Sequence, residues 1–194
     1  MDMAEEILVV GNGDWQENQI LKKLISEANY VIALDGAADR FAGWNEVIGD
    51  MDSIKDSSNH KIDGNQNNSD LSKALQMYPV TKVFGIDGGR LDHRLGAFTA
   101  LFENSSDAIL YYEGWRAQRV PNGEKKFEVQ NNSKCALFSF GITKSVSIKG
   151  VEFELHNQDL KTGTLGLGNT ALEEIVTVSK SDGDLLFIWE ENAL

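Results

Sequence analysis

Between residues 7 and 113, short apolar runs alternate with longer segments in which apolar residues recur at the spacing of a helix. The run Ile7-Leu8-Val9-Val10, for example, is followed by apolar residues at helical spacing and then by a second run that ends at Leu34. Strands that alternate with helices are typical of α/β proteins with a mostly parallel sheet. We therefore predict an α/β domain with a Rossmann-like, mostly parallel sheet over residues 1–115. Its predicted strands end at Val10, Leu34, Ile48, Phe84 and Tyr112.

After position 115 the apolar residues alternate at period two, as in Val146-Ser147-Ile148 and Val176-Thr177-Val178. Turn signals such as Pro121-Asn122-Gly123 separate these shorter segments. Antiparallel strands joined by tight turns have this pattern. We predict a second domain of antiparallel β structure over residues 116–194.

The charge balance restricts the partners of this chain. It carries 30 acidic and 18 basic residues, a formal net charge of -12 at pH 7. Such a surface is poorly suited to neutralise the phosphates of nucleic acid or an anionic lipid surface. The sequence begins without a basic segment, and no apolar run approaches the roughly 18 residues that span a bilayer. We expect a cytoplasmic protein without nucleic acid or membrane partners.

Acidic residues follow the ends of several predicted strands. Asp35 follows the second strand, Asp50 and Asp52 follow the third, and Asp87 and Asp92 follow the fourth. Asp35 alone could also be an ordinary helix cap. Because the carboxyl ends of parallel strands share one edge of a sheet, we expect these carboxylates to converge. Converging carboxylates need a cation, and their hard oxygen ligands favour Mg²⁺ together with substrate phosphates. The pattern predicts a phosphoryl-transfer site.

Three other segments carry groups that could bind phosphate, and each also has an ordinary structural explanation. Gly88-Gly89-Arg90 joins a glycine loop, which a phosphate can approach closely, to a guanidinium at the start of a predicted helix. Lys73 lies one turn after Asp70, and the two could equally form a solvent-exposed ion pair. Asn12-Gly13 could hold phosphate or be a simple turn. The chain has no Walker lysine signature, which excludes the common P-loop mechanism.

Several motifs occur in the order found in the thiamine pyrophosphokinase family, and the resemblance covers nearly the whole sequence. The most specific is Gly49-Asp50-Met51-Asp52-Ser53, which is similar to the family's metal-binding Gly-Asp-x-Asp-Ser segment. The run from Gln66 to Lys73 resembles the family's Gln-x-x-Thr-Asp-x-x-Lys pattern. The other matching motifs are Asn12-Gly13, Asp35-Gly36-Ala37-Ala38 and Gly88-Gly89-Arg90-Leu91-Asp92-His93.

The resemblance implies an N-terminal α/β catalytic domain, a C-terminal antiparallel β-sandwich, and a homodimer with thiamine bound between its subunits. It also implies an enzyme, a thiamine diphosphokinase. In that reaction the primary hydroxyl of thiamine attacks the β-phosphorus of ATP, thiamine diphosphate forms and AMP leaves. Mg²⁺ is the expected cofactor, and ATP and thiamine are the expected substrates.

The same resemblance assigns roles to individual residues. Asp50, Asp52 and Asp70 are expected to hold Mg²⁺. Lys73 and Arg90 are expected to grip the phosphates, and either Asp70 or Asp92 to accept the hydroxyl proton. The predicted catalytic residues are therefore Asp70, Lys73, Arg90 and Asp92. The predicted ligands of the nucleotide and the vitamin are Asn12, Asp35, Gln66, Arg90, Asn169 and Trp189.

Two aromatic residues of the C-terminal half could stack on a flat cationic heterocycle such as thiamine. Phe153 and Trp189 both lie in predicted β segments, where the ordinary expectation for each is a place in the core. The segment around Phe153 resembles one in which the family normally carries Trp.

The chain departs from the family pattern near the expected substrates. Asn65 replaces an aspartate, and Gly166-Leu167-Gly168 replaces a serine-rich stretch before Asn169. The missing hydroxyls leave a related pyrophosphokinase that acts on another alcohol as one alternative. A non-catalytic module that binds nucleotide or thiamine diphosphate is the other, although a pure binder has no need for so many acids beside Lys73 and Arg90.

Overall fold

The computed structural model describes residues 5–16, 18–49 and 68–191. The chain divides into two compact units, Met1–Tyr112 and Glu113–Leu194. In the described residues the first unit contains strands and helices, whereas the second is built from strands. The protein is therefore of mixed α/β architecture.

A parallel sheet forms the centre of the N-terminal unit. Its described strands are β1 (Ile7–Val10), β2 (Tyr30–Leu34), β3 (Glu46–Ile48), β4 (Lys82–Phe84) and β5 (Ile109–Tyr112). They lie in the order β3-β2-β1-β4-β5, and each neighbouring pair is parallel. The order runs outward from the boundary between β1 and β4, which makes this boundary a topological switch point where α/β proteins commonly bind ligands.

Three α-helices follow strands of this sheet in the described residues. They are α1 (Gln19–Glu27), α2 (Asp70–Met77) and α3 (Leu91–Glu103), and a short 3₁₀ helix, Asp35–Asp39, follows β2 directly. Side-chain caps begin two of them: Asn18 accepts a hydrogen bond from the amide of Leu21, and Ser69 accepts one from the amide of Ser72. These elements confirm the predicted alternation of strands and helices. No helix in the described part of the chain is long and apolar enough to cross a membrane.

The C-terminal unit is antiparallel in all of its described strand pairs, as predicted. Its strands are β6 (Trp115–Arg119), β7 (Gly123–Glu128), β8 (Lys134–Lys149), β9 (Leu155–Lys161), β10 (Asn169–Thr170), β11 (Ile175–Lys180) and β12 (Asp182–Glu190). The long strand β8 pairs with four of the described strands. Its first part pairs with β10 and with β12, which also pairs with β6, and its second part pairs with β9 and β11. The register shifts near Gly141 and Ser145, which both have positive φ.

Aromatic rings fill the core of the C-terminal unit. Phe187 of β12 has no solvent exposure, and its ring centroid lies 4.6 Å from that of Phe127 and 5.5 Å from that of Trp189. The three rings belong to two strands, β7 and β12, that are not hydrogen-bonded neighbours in the described ladders. Packing of these rings therefore holds β7 and β12 together, although no backbone hydrogen bonds among the described residues join the two strands directly.

We expect Phe187→Ala to lower the free energy of unfolding by about 3–5 kcal/mol, because the truncation removes buried apolar contacts and leaves a cavity. Urea denaturation measures the loss, and hydrogen exchange of the C-terminal strands assigns it to this unit. Phe153→Ala is the matched control, since the same truncation removes a ring that is 64% exposed. Equal losses in the two variants would contradict this description of the core.

Candidate active site

Gly49 is the point at which two predicted acidic residues of the site meet. It follows β3 directly, as Asp35 follows β2, while Asp70 begins α2. A Cβ atom at Gly49 would lie 2.9 Å from the Cβ of Asp35 and 3.2 Å from Oδ2 of Asp70. The backbone of Gly49 therefore needs a residue without a side chain, and the carboxyl edge of the sheet brings together two acids that are distant in sequence.

Asp35 adopts an unusual backbone conformation at this edge. Its φ angle is 43°, in the left-handed region that aspartate tolerates better than most residues. The residue is buried and opens the short 3₁₀ helix Asp35–Asp39. Left-handed residues other than glycine cluster at functional sites, where the surrounding structure offsets their strain.

Asp70 and Lys73 form a close ion pair on the first turn of α2. Lys73 Nζ lies 3.0 Å from Asp70 Oδ1, and only 6% of the lysine side chain is exposed. Burial of an ammonium group is costly unless the group is paired, so Asp70 stabilises the lysine where it stands. The alternative of a solvent-exposed pair is therefore wrong for Lys73. Its side chain packs into the fold as α2 docks on the sheet.

The loops that follow β1 and β4 are joined by backbone hydrogen bonds. The amide of Gly13 donates to the carbonyl of Gly85 at 2.7 Å, and the amide of Asp14 donates to the carbonyl of Asp87 at 2.6 Å. A Cβ atom at Gly13 would lie 2.3 Å from the Asp87 carbonyl oxygen, so glycine is required for this approach. The two loops flank the switch point, and Asn12 is exposed on the first of them.

Arg90 and Asp92 form a second pair, at the start of α3. Arg90 Nε lies 3.1 Å from Asp92 Oδ1, and Nη2 lies 2.6 Å from Oδ2. The hydrogen bonds from Arg90 hold the pKa of the Asp92 carboxyl below its ordinary value. Both side chains are largely exposed, and Gly88 and Gly89 with positive φ precede them. The guanidinium is thus presented to solvent at a helix N-terminus, where an anion is favoured.

The acids of the described residues are only part of the predicted metal site. No group of three or more His, Cys, Asp or Glu side chains within residues 5–16, 18–49 and 68–191 is arranged to hold a metal ion. Asp50, Asp52 and Gln66 lie outside the described residues. Asp70 fits the predicted role, because its Oδ1 pairs with Lys73 and its Oδ2 is directed toward Gly49, the residue immediately before Asp50 in the sequence. Carboxylate oxygens are the ligands that Mg²⁺ prefers.

In the C-terminal unit, Asn169 fixes the backbone of an exposed aromatic residue. Its Oδ1 accepts hydrogen bonds from the amides of Phe153 and Thr170, and its Nδ2 donates to the carbonyl of Phe153 at 2.8 Å. The expectation that Phe153 is a core residue is wrong, because its ring stands out from the turn before β9. Trp189, by contrast, is 6% exposed and stacks on Phe187, so the structure places it in the core.

Sequence reasoning overlooked Arg40, which follows the Asp35–Asp39 turn. Its guanidinium donates to the backbone carbonyls of Gly13 and Trp15 and to Asn12 Oδ1. The nearest sequence signal is an arginine at the end of an acidic motif, which indicates nothing about a loop more than twenty residues earlier. The parallel pairing of β1 with β2 creates this contact.

Comparison with known proteins gives a consistent result. Residues 21–111 match the family model described as the thiamin pyrophosphokinase catalytic domain. The thiamine pyrophosphokinase of Bacillus subtilis (strain 168) is 28% identical over 165 residues, which cover 74% of this chain and 77% of that protein.

Solved structures show the same fold. The crystal structure of thiamine pyrophosphokinase from Bacillus subtilis superposes with a TM-score of 0.82 at 23% identity, covering 97% of this chain and 100% of that one. Yeast thiamin pyrophosphokinase superposes with a TM-score of 0.77 at 14% identity, covering 98% and 88%. With the catalytic-domain match and the Bacillus subtilis relative, these likenesses lead to one conclusion: residues 21–111 match the catalytic domain of thiamin pyrophosphokinases, and the chain shares their fold over nearly its whole length.

Proposed function

We propose that this protein is a Mg²⁺-dependent thiamine pyrophosphokinase that transfers a diphosphate group from ATP to thiamine. One observation carries the proposal: buried Lys73 is paired with Asp70 beside Asp35 and Gly49 at the carboxyl edge of the sheet. A buried cation among carboxylates suits the handling of phosphate and a divalent ion, because both signs of charge are needed there. The stability of the fold alone does not require a buried lysine to be grouped with carboxylates in this way.

In the proposed reaction the primary hydroxyl oxygen of thiamine forms a bond to the β-phosphorus of ATP. The bond from that phosphorus to the oxygen bridging the α-phosphate breaks, and AMP leaves. Negative charge spreads over the phosphoryl oxygens during this step, and catalysis depends mainly on positioning and charge neutralisation. Lys73 supplies a fixed positive charge from α2, and Arg90 supplies a planar fork of donors from the start of α3.

The acids have distinct tasks in this proposal. Asp50, Asp52 and Asp70 would hold Mg²⁺, which when bound neutralises charge on the phosphate oxygens. Asp92 orients Arg90 with both of its carboxylate oxygens. The same pairing keeps the pKa of Asp92 low, which weakens it as an acceptor of the hydroxyl proton; Asp70 is the other candidate for that role. Asn12, Asp35 and Gln66 complete the polar surroundings of the nucleotide.

The C-terminal unit is proposed to be a β-sandwich that binds thiamine and forms a homodimer. Large apolar side chains are exposed on the turns of this unit, at Phe153, Leu165, Leu167 and Leu172. Exposed apolar groups that lie together mark interaction surfaces. Backbone hydrogen bonds link the segment of Phe153 to that of Leu172, so these two side chains belong to neighbouring segments. Phe153, held by Asn169, supplies the aromatic ring for the cationic heterocycle. We also propose a cytoplasmic location.

A second candidate is a pyrophosphokinase that acts on another alcohol. Gly166 has a φ of 107°, and a Cβ atom there would lie 2.9 Å from the carbonyl oxygen of Leu137. Serine cannot occupy this position without strain, so the backbone of the loop before Asn169 does not suit a serine here. The loop without serine hydroxyls would then bind an alcohol other than thiamine.

Incubation of the purified protein with ATP, thiamine and Mg²⁺, followed by mass spectrometry, tests both candidates. Thiamine diphosphate and AMP are the expected products. ADP would instead indicate transfer of a single phosphate. Product formation only with another alcohol would replace the first candidate by the second, and no transfer to any alcohol would refute both.

Lys73→Ala and Asp50→Asn are expected to lower kcat by about 10²–10³-fold, because each removes charge stabilisation that is strongest in the transition state. Circular dichroism should show that both variants remain folded. Lys82→Ala is the matched control: Lys82 begins β4 at the opposite edge of the sheet and pairs with Glu6 and Glu27. Near-normal turnover in Lys73→Ala would refute the assignment of this site.

Asn169→Ala is expected to raise the KM for thiamine about tenfold with a smaller change in kcat, because the turn that carries Phe153 loses its two hydrogen bonds to the Asn169 side chain. Steady-state kinetics with each substrate varied in turn measures the effect. The KM for ATP in the same variant is the internal control and should stay unchanged. An unchanged KM for thiamine would show that the vitamin binds elsewhere.

A further inference from the structure

Arg40 clamps the loop that follows β1. One terminal nitrogen, Nη1, donates to the carbonyl of Gly13 and, at 3.3 Å, to Oδ1 of Asn12, while Nη2 donates to the carbonyl of Trp15. The planar guanidinium thus donates hydrogen bonds to three residues of one loop. A charged donor makes stronger hydrogen bonds than a neutral one, so these contacts restrain the loop more than an ordinary turn is restrained.

Trp15 completes the clamp from the core side. Its indole Nε1 donates to the carbonyl of Gly11 at 2.7 Å, and its ring packs edge-on against Phe84 of β4. The Arg40 guanidinium carbon lies 4.2 Å from the centre of the indole, in the range of a cation–π contact. The loop is therefore fixed at both ends, and Arg40 reaches it from the segment after β2.

The clamp determines how Asn12 presents its side chain. Because Arg40 donates to Oδ1, the carboxamide oxygen is turned toward the guanidinium. The NH₂ group of the same amide points away from that bond and has no partner within the part of the chain that the structure describes. Asn12 is exposed at the switch point, so it offers two donors to a ligand there.

We propose that Arg40 is a positioning residue for the nucleotide: it holds the loop after β1 in place and orients Asn12 as a donor to acceptor atoms of ATP. The inference rests on the proposed function for the identity of the nucleotide. Arg40 acts through the loop and through Asn12. Lysine cannot replace it, because an ammonium group lacks the flat fork that reaches two carbonyls and lies over an indole.

Four variants distinguish an effect on the position of the loop after β1 from a direct effect on the binding of ATP. Arg40→Lys keeps the charge and removes the fork, and Arg40→Gln removes both. Asn12→Asp keeps an oxygen acceptor for Arg40 but replaces the NH₂ donors by negative charge. Lys144→Gln removes one positive charge from an exposed pair with Asp159 in the C-terminal unit and is the control. Hydrogen exchange of peptides covering residues 11–16 and 85–89 is measured beside the KM for ATP and for thiamine, kcat and Tm.

For Arg40→Lys we expect exchange over residues 11–16 to rise about tenfold or more, since the amides of Gly13 and Asp14 are protected only while the loop keeps its place against β4. The KM for ATP should rise about tenfold, while the KM for thiamine stays within about twofold. Arg40→Gln should show a larger change of the same kind. Asn12→Asp should raise the KM for ATP without faster exchange, and Lys144→Gln should change neither quantity.

Unchanged exchange over residues 11–16 in both Arg40 variants overturns the proposal, whatever reaction the wild type performs. Equal increases in the KM for ATP and for thiamine, accompanied by a lower Tm, also overturn it, because they indicate a merely structural role. If the wild type forms no thiamine diphosphate, the proposed function fails separately. Equilibrium binding of ATP to the wild type and the four variants then replaces KM, and equal affinity in Arg40→Lys and the wild type overturns the positioning role.

Discussion

β1 is hydrogen-bonded in parallel to β2 on one side and to β4 on the other, and the segments that follow these three strands therefore leave the sheet at one edge. Arg40 reaches the loop after β1 because of this pairing, and that loop packs on the loop after β4. The neighbouring pairing of β2 with β3 brings Asp35 beside Gly49 in the same way. Every proposed nucleotide contact in the described residues depends on this arrangement.

Close approach at that edge is possible because particular positions lack a side chain. Gly13 and Gly49 each lie so near another backbone or side chain that a Cβ atom would collide with it. The same close packing strengthens the interactions between charged groups at this edge, since charges surrounded by low-dielectric protein interact more strongly than charges in water. Lys73 is stable there because Asp70 is its partner, and the left-handed backbone of Asp35 is tolerated because its neighbours hold it.

Local patterns predicted the elements well and the side-chain environments less well. The caps at Asn18 and Ser69 and the helical spacing after them are short-range features, so α1 and α2 could be recognised from a few neighbouring residues. Exposure is decided by distant neighbours. Lys73 is buried although lysine is usually exposed, and Phe153 is exposed because Asn169, sixteen positions away, holds its turn outward. Trp189 is buried because Phe187 and Phe127 pack around it.

The sequence by itself determined the order of strands and helices, the acidic motifs at strand ends and the change to antiparallel β structure, because periodicity, caps and turn residues act over a few positions. It also carried the motifs by which the family could be recognised. Only the tertiary structure decided that Asp35 and Asp70 meet at Gly49, that Arg40 clamps the loop of Asn12, and which aromatic ring is exposed. These contacts join residues that are far apart along the chain, and strand pairing and packing bring them together in space.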